Sequence, residues 1–166
     1  MPDMLVKLYA LPEPNAEFAR LRVDGVDVRR ALAPEKFLVV GWVREQFNQY
    51  WAGECEVAFA HTPVGCFVAI HDHRLLGFAC YDATLKGFFG PTAVAPDARG
   101  RGIGKALLLA SLQAMHAAGY GYAIIGAVGP AEFYAKAVGA TLIDGSAPGI
   151  YAGMLRAEPG IAFVAD

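Results

Sequence analysis

The stretch Ala93 to Lys105, Ala-Val-Ala-Pro-Asp-Ala-Arg-Gly-Arg-Gly-Ile-Gly-Lys, constrains this chain more than any other part of it. A short apolar segment ends at Val94, Pro96 and Asp97 turn the backbone, and Gly100, Gly102 and Gly104 lead into a long apolar run that reads as a helix from near Ile103. Glycine allows left-handed backbone and close approach of a guest, and a helix start exposes N–H groups that have no partner within the helix. Such a junction attracts an anion, so a phosphate is the expected guest. Arg99, Arg101 and Lys105 agree with it in sign.

Spacing separates the phosphate-binding modules. A P-loop would need glycine at Arg99 and a hydroxyl at Ala106. The dinucleotide fingerprint, started at Gly100 or Gly102, would need its last glycine at Lys105 or Leu107. What fits is [Q/R]-x-x-G-x-[G/A], filled by Arg99, Gly102 and Gly104 between a strand and a helix. An arginine-glycine nucleic-acid tail is repetitive, whereas this run occurs once, inside apolar sequence, in a chain of net charge -2. No nucleic-acid partner is expected. The pattern closely resembles motif A of the GNAT superfamily of N-acetyltransferases, whose loop holds the pyrophosphate of acetyl-coenzyme A.

A second stretch strengthens the resemblance. Phe133-Tyr134-Ala135-Lys136-Ala137-Val138-Gly139-Ala140 is similar to the family's F-Y-x-K-x-G-F and follows motif A in the right order. It departs by one extra residue before Gly139 and by Ala140 in place of phenylalanine, and Ala127 stands where the family often has an asparagine that bonds the pantetheine. The resemblance covers roughly residues 64 to 156, and the N-terminal third matches only in general layout.

The resemblance implies an α/β fold of the α+β kind, with a mixed, mostly antiparallel central sheet, helices on both faces, and a splay after the fourth core strand that admits the pantetheine arm. It implies that acetyl-coenzyme A is held by Thr92, Ala93 and Val94 at the strand end and by Arg99, Gly100, Arg101, Gly102, Ile103, Gly104 and Lys105 in the loop. Phe133, Tyr134 and Lys136 complete the set. Backbone N–H groups near Val94 would polarise the thioester carbonyl, and the Tyr134 hydroxyl would donate to the leaving sulfur. No metal is implied. Positioning two substrates already removes a large entropic barrier, so no cysteine nucleophile is needed, and Cys80 reads as a core thiol.

Several family members use a glutamate on the strand before motif A as general base, but residues 87 to 94 hold no ionisable side chain. Asp82, Glu54, Glu56, His71 and His73 are candidates by chemistry alone. The histidines flank a hairpin turn and read as solvent-facing, with a His-Asp-His spacing that defines no metal site. Glu54 and Glu56 read as helix-surface charges and Asp82 as a strand-end cap. A water chain, or an amine already neutral at working pH, would also serve.

The remaining chain reads as scaffold. With 166 residues, one domain spanning 1–166 is expected, and neither an internal repeat nor a low-complexity linker divides it. Ala106 to Ala131 carries no Asp, Glu, Lys or Arg, and mean hydropathy is +0.36. Ser111, Gln113 and His116, and the break at Gly119-Tyr120-Gly121, nevertheless favour a buried helix and strand over a membrane span. The apolar excess suits a homodimer face. Cys55, Cys66 and Cys80 read as reduced core thiols, and Met1-Pro2-Asp3 opens no signal peptide, which together predict a cytoplasmic protein.

In chain order the patterns predict a short strand over Leu5 to Tyr9 at a sheet edge, and a helix capped by Asn15 and closed by Gly25. Next come a strand over Val26 to Leu32 and a helix carrying Phe37, Val40 and Val43, then a helix from Phe47 to about Ala60. Strands over Cys66 to His71 and Leu75 to Asp82 join at Asp72-His73-Arg74. A strand over Gly87 to Val94 should bulge or splay near Gly90-Pro91, since proline donates no ladder hydrogen bond. A helix over Gly102 to Ala118, a strand over Tyr122 to Val128, a helix over Ala131 to Val138 and two strands between Thr141 and Leu155 around Asp144-Gly145-Ser146 complete it. Trp42, Phe47, Tyr50 and Trp51 read as core packing, with one or two as walls of an acceptor pocket.

The function expected is acetyl transfer to a primary amine of a small molecule, an amino acid derivative, an amino sugar or a polyamine-like compound. The alternatives are a regulatory module that binds an acyl-coenzyme A without transfer, and a self-associating structural domain.

Overall fold

A computed structural model describes residues 1–156; residues 157–166, which the expected domain includes, lie outside the described part. The strands are β1 (Met4–Lys7), β2 (Asp27–Arg30), β3 (Cys66–His71), β4 (Arg74–Tyr81), β5 (Phe88–Val94), β6 (Tyr122–Ile125) and β7 (Thr141–Leu142). The helices are α1 (Asn15–Val23), α2 (Lys36–Gln46), α3 (Gln49–Phe59), α4 (Ile103–Ala117) and α5 (Ala131–Val138). One seven-stranded sheet runs β2-β3-β4-β5-β6-β1-β7, antiparallel throughout except for the parallel pair β5–β6.

Local chemistry explains most element ends. Asp72 and His73 both adopt positive φ, 47° and 62°, which is the two-residue turn whose twist matches a β3–β4 hairpin. The break between α2 and α3 is fixed by Asn48, whose side-chain oxygen accepts from the Trp51 N–H at 2.9 Å. α1 starts at its expected cap, Asn15, so the cap position falls to Pro14, whose carbonyl accepts from the Glu17 and Phe18 N–H groups. The arginines of β2 each find partners where they stand. Arg29 forms a two-pronged pair with Glu35 at 2.6 and 2.9 Å, and the Arg30 guanidinium lies 4.7 Å from the Phe67 ring centre.

The sheet separates two apolar cores. On one face α4 buries Ile103, Leu107, Leu108, Leu112 and Met115 against Leu21 of α1, Val6, Phe89 and Ile125. This explains why α4 is apolar around most of its circumference. On the other face Val39, Val40 and Val43 of α2 and Cys55, Ala58 and Phe59 of α3 cover Val68, Phe78 and Cys80. Alternation along β4 serves both, with Phe78 and Cys80 on the α2–α3 side and Ala79 and Tyr81 on the α4 side. The cysteines are free and buried, and their sulfur atoms lie within 4.8 Å of one another. Among the described residues no helix is long and apolar enough to cross a membrane.

Two expectations fail at the far end of the sheet. β1 is not an edge strand; it lies between β6 and β7, antiparallel to both. The segment from Thr141 to Leu155 supplies only the two-residue β7 and a 3-10 turn over Gly149–Tyr151. The slot beside β6 is thus filled by the chain's first strand. Ser146 ties the intervening turn to that strand, accepting from the Asp3 N–H at 2.7 Å and donating to the Ile143 carbonyl.

The expected splay is present. β5 pairs with β6 only at Phe88↔Ile124 and Phe89↔Ile125, while its pairing with β4 continues to Val94. The β4–β5 register shifts between Ala79 and Tyr81, opposite Gly90-Pro91, as the missing proline donor requires. From Gly90 onward the β6 side of β5 is open.

Candidate functional site

The site has a backbone-built end and a side-chain-built end. At the first, Gly100 and Gly102 adopt φ of 76° and 84°, and Gly102 begins α4 in the left-handed region. Among the described residues no side chain caps this helix, so its first N–H groups remain free for a guest. A cavity of about 350 Å³ lies there, lined by Val94, Arg99, Gly100, Gly102, Ile103, Gly104, Lys105 and Phe133. Uncapped amides, left-handed glycines and cationic side chains fit a pyrophosphate.

α1 braces this loop from behind. Arg20 Nη2 donates to the Arg101 carbonyl at 2.7 Å, and Lys105 Nζ pairs with Glu17 Oε2 at 3.0 Å. The bond from Lys105 holds the Glu17 carboxyl below its ordinary value. A side chain at Gly102 would meet both braces, since its Cβ would collide with Arg20 and lie 2.8 Å from Glu17 Oε1. Arg99 folds back, its Nε donating to the Val94 carbonyl at 3.2 Å. Lys136 stands apart: it is 82% exposed on α5, pairs with Glu132 at 3.7 Å, and lines neither cavity described here.

β5 carries the site toward the splay. The Ala95 N–H donates to the Leu76 carbonyl at 2.8 Å, so by strand alternation the Ala93 N–H also faces β4. The Thr92 and Val94 N–H groups therefore face the opposite way, into the gap left by β6. Thr92 and Val94 line successive cavities along this edge, and the adjacent Phe133 and Tyr134 do the same on α5.

The second cavity is larger, about 720 Å³, and lies between α3, the splay and the turn after β7. Tyr134 lines it at only 7% exposure, its ring edge-on to Phe89 and Phe133. Burial raises the Tyr134 phenol above its ordinary pKa, so it keeps its proton at neutral pH. Ala127, at the position of the family's asparagine, gives the cavity only a methyl group. Its N–H is held by Asp3 Oδ1 at 2.8 Å.

The cavity also contains a carboxylate that the sequence reading placed on a helix surface. Glu54 projects from α3 into it and accepts from the Thr84 hydroxyl, and burial raises its pKa. Tyr151 faces it from the C-terminal turn, and burial, followed by the charges of Glu54 and Asp3, raises that phenol too. The other candidate bases lie elsewhere. Glu56 pairs with Arg44 at 3.3 Å, Asp82 accepts from the Gly87 N–H and the Tyr120 hydroxyl, and His71 packs on Gly25 beside Asp72. His73 is exposed in its turn. The cysteines line neither of the two cavities, so Cys80 has no path to a substrate there.

Glu54 left a signal that was available in the sequence. Tyr50, Trp51 and Val57 precede and follow it at helical spacing and line the same cavity, so it belongs to an aromatic and apolar stripe rather than a charged one. Thr84 and Tyr151 left none.

Solved structures share this architecture. One is a GCN5-related glucosamine N-acetyltransferase region of a fungal multi-domain β-N-acetylglucosaminidase, with TM-score 0.69 and 16% identity over 86% of this chain and 19% of that one. A GCN5-related N-acetyltransferase from Sphaerobacter thermophilus gives TM-score 0.57 and 19% identity over 86% of this chain and 48% of that one. A protein assigned to the GNAT family from Xanthomonas campestris gives 0.50 and 22% over 82% and 95%. This chain thus spans well under two thirds of the first two, and such identities establish the fold alone. No match was found among curated protein sequences. The profile of the acetyltransferase (GNAT) family matches residues 27–140, most of the chain, and the chain belongs to that family, whose members are acyltransferases that draw on acetyl-coenzyme A.

Proposed function

We propose that this chain transfers the acetyl group of acetyl-coenzyme A to the primary amine of a small molecule, by direct attack within a ternary complex. One juxtaposition carries the reading: a protonated tyrosine and a half-buried carboxylate, Tyr134 and Glu54, line one cavity at the mouth of the β5–β6 splay. The loop from Arg99 to Lys105 holds the pyrophosphate, and the gap beside Thr92 and Val94 takes the pantetheine arm. The outward Val94 N–H stabilises the negative charge that develops on the thioester oxygen.

The amine nitrogen forms the new C–N bond as the C–S bond breaks. Glu54 takes the proton released by the amine, and Tyr134 gives its phenolic proton to the departing sulfur. A raised pKa suits both groups, making Glu54 a better proton acceptor and keeping Tyr134 a donor. The same carboxylate weakens the case for a module that binds without transfer.

Calorimetry with acetyl-coenzyme A, followed by thiol detection across a panel of amines, tests the reading. Binding together with thiol release on at least one amine is expected. Absence of binding would remove the function altogether, and binding without release on any amine would leave the non-catalytic module.

A further inference from the structure

The three acceptor types left open by the sequence differ in what they demand of a pocket. An amino acid needs a cation for its carboxylate, a polyamine needs an anion for each ammonium, and an amino sugar needs partners for several hydroxyls. The described side chains of the larger cavity meet neither of the first two demands in full, and the third only through tyrosine hydroxyls. Among the described residues Glu54 is its sole carboxylate, and no Lys, Arg or His side chain lines it. Both threonine hydroxyls already donate within the protein, Thr84 to Glu54 and Thr92 to the Phe78 carbonyl.

The remaining wall opposite the splay is apolar or aromatic, formed by Trp51, Val57, Leu85, Ile150 and Met154. The Trp51 ring is fixed by stacking on Phe47, with centroids 5.3 Å apart and planes at 31°. A carboxylate brought here would face Glu54 with no Lys, Arg or His side chain among the described lining residues to balance it, and a sugar would set most of its hydroxyls against apolar side chains. An ammonium finds one anion and an aromatic face.

We propose that the acceptor is a primary monoamine on an aromatic or otherwise apolar body without an acidic group, its nitrogen at Glu54 and its body against Trp51, Leu85 and Met154. The inference rests on the acetyl-transfer reading and narrows it.

The test uses the full chain with saturating acetyl-coenzyme A and 2-phenylethylamine, glucosamine, spermidine and glutamate as acceptors. Thiol release is followed, and acetylated products are identified by mass. The expected result is a kcat/KM for 2-phenylethylamine about 100-fold above that of each of the others. Trp51→Ala should raise the KM for 2-phenylethylamine about 10-fold while the Kd for acetyl-coenzyme A stays unchanged. A higher kcat/KM for glucosamine, spermidine or glutamate overturns this acceptor class and leaves acetyl transfer standing. An unchanged KM in Trp51→Ala overturns the placement of the body. Binding of acetyl-coenzyme A with no release on any of the four amines overturns the acceptor class, and extending the screen to further amines then decides whether transfer itself fails.

Discussion

The two cavities along β5 are built by opposite means. The smaller one is made of backbone: left-handed glycines, the free start of α4 and the outward amides of β5. The larger one is made of side chains delivered from distant parts of the chain, Trp51 and Glu54 from α3, Tyr134 from α5 and Tyr151 from the last turn. A backbone-built site can hold only what every substrate pair shares. A side-chain-built site is free to vary, so under the proposed function the first sets the donor and the second the acceptor.

This division breaks if a variant on one side moves the constants of the other. The largest effect is expected from Tyr134→Phe, which should lower kcat by about 100- to 1,000-fold and leave acetyl-coenzyme A affinity unchanged in calorimetry. An undiminished kcat would remove Tyr134 as the acid. Gly102→Val forces a side chain into the left-handed region against Arg20 and Glu17. It should raise the Kd for acetyl-coenzyme A about 10- to 100-fold, and a folded variant with native affinity would contradict the loop assignment.

Glu54→Gln should lower kcat/KM about 10-fold at neutral pH. Because burial raises the Glu54 pKa, the wild-type rate should fall as pH drops through a value above the ordinary carboxylate range. That limb should vanish in the variant. Stability carries the opposite sign: a raised pKa in the fold means stability is fully present below the unfolded pKa and lost as pH rises through the folded one. Glu54→Gln should therefore melt a degree or two higher at neutral pH, about what a fraction of a kcal/mol gives, and a lower Tm would show that the Thr84 contact outweighs burial. The smallest effect is expected from Arg20→Ala, which frees the Arg101 carbonyl and should weaken acetyl-coenzyme A about two- to five-fold with the amine KM unchanged.

The same division explains what the sequence disclosed. The smaller cavity was legible because Gly100 and Gly102 are local in sequence and both take positive φ, which glycine enters most freely. Phe133-Tyr134 was legible for the same reason, its spacing lying within one helix. The Gly90-Pro91 irregularity followed from a missing donor and needed no tertiary knowledge. Glu54 was misplaced because the face a helix turns inward depends on what covers it, and here Thr84 and Tyr151 cover it from outside the helix. Gly126 shows the same limit: its bare Cα makes room for the Tyr151 hydroxyl, a contact without local pattern. The position of β1 was hidden because its partners lie at the opposite end of the described chain.

That placement of β1 sets an order of assembly. β1 is synthesised well before the two strands that flank it, so both its edges stay unpaired while the intervening residues are added. Met4 and Val6, fully covered in the finished fold, have no partner strand for that interval. The loop that opens α4 has no such delay, because β4, β5 and α4 follow one another directly. That loop can thus form while the wall around Tyr134 is still open, so the two cavities are completed at different stages of folding.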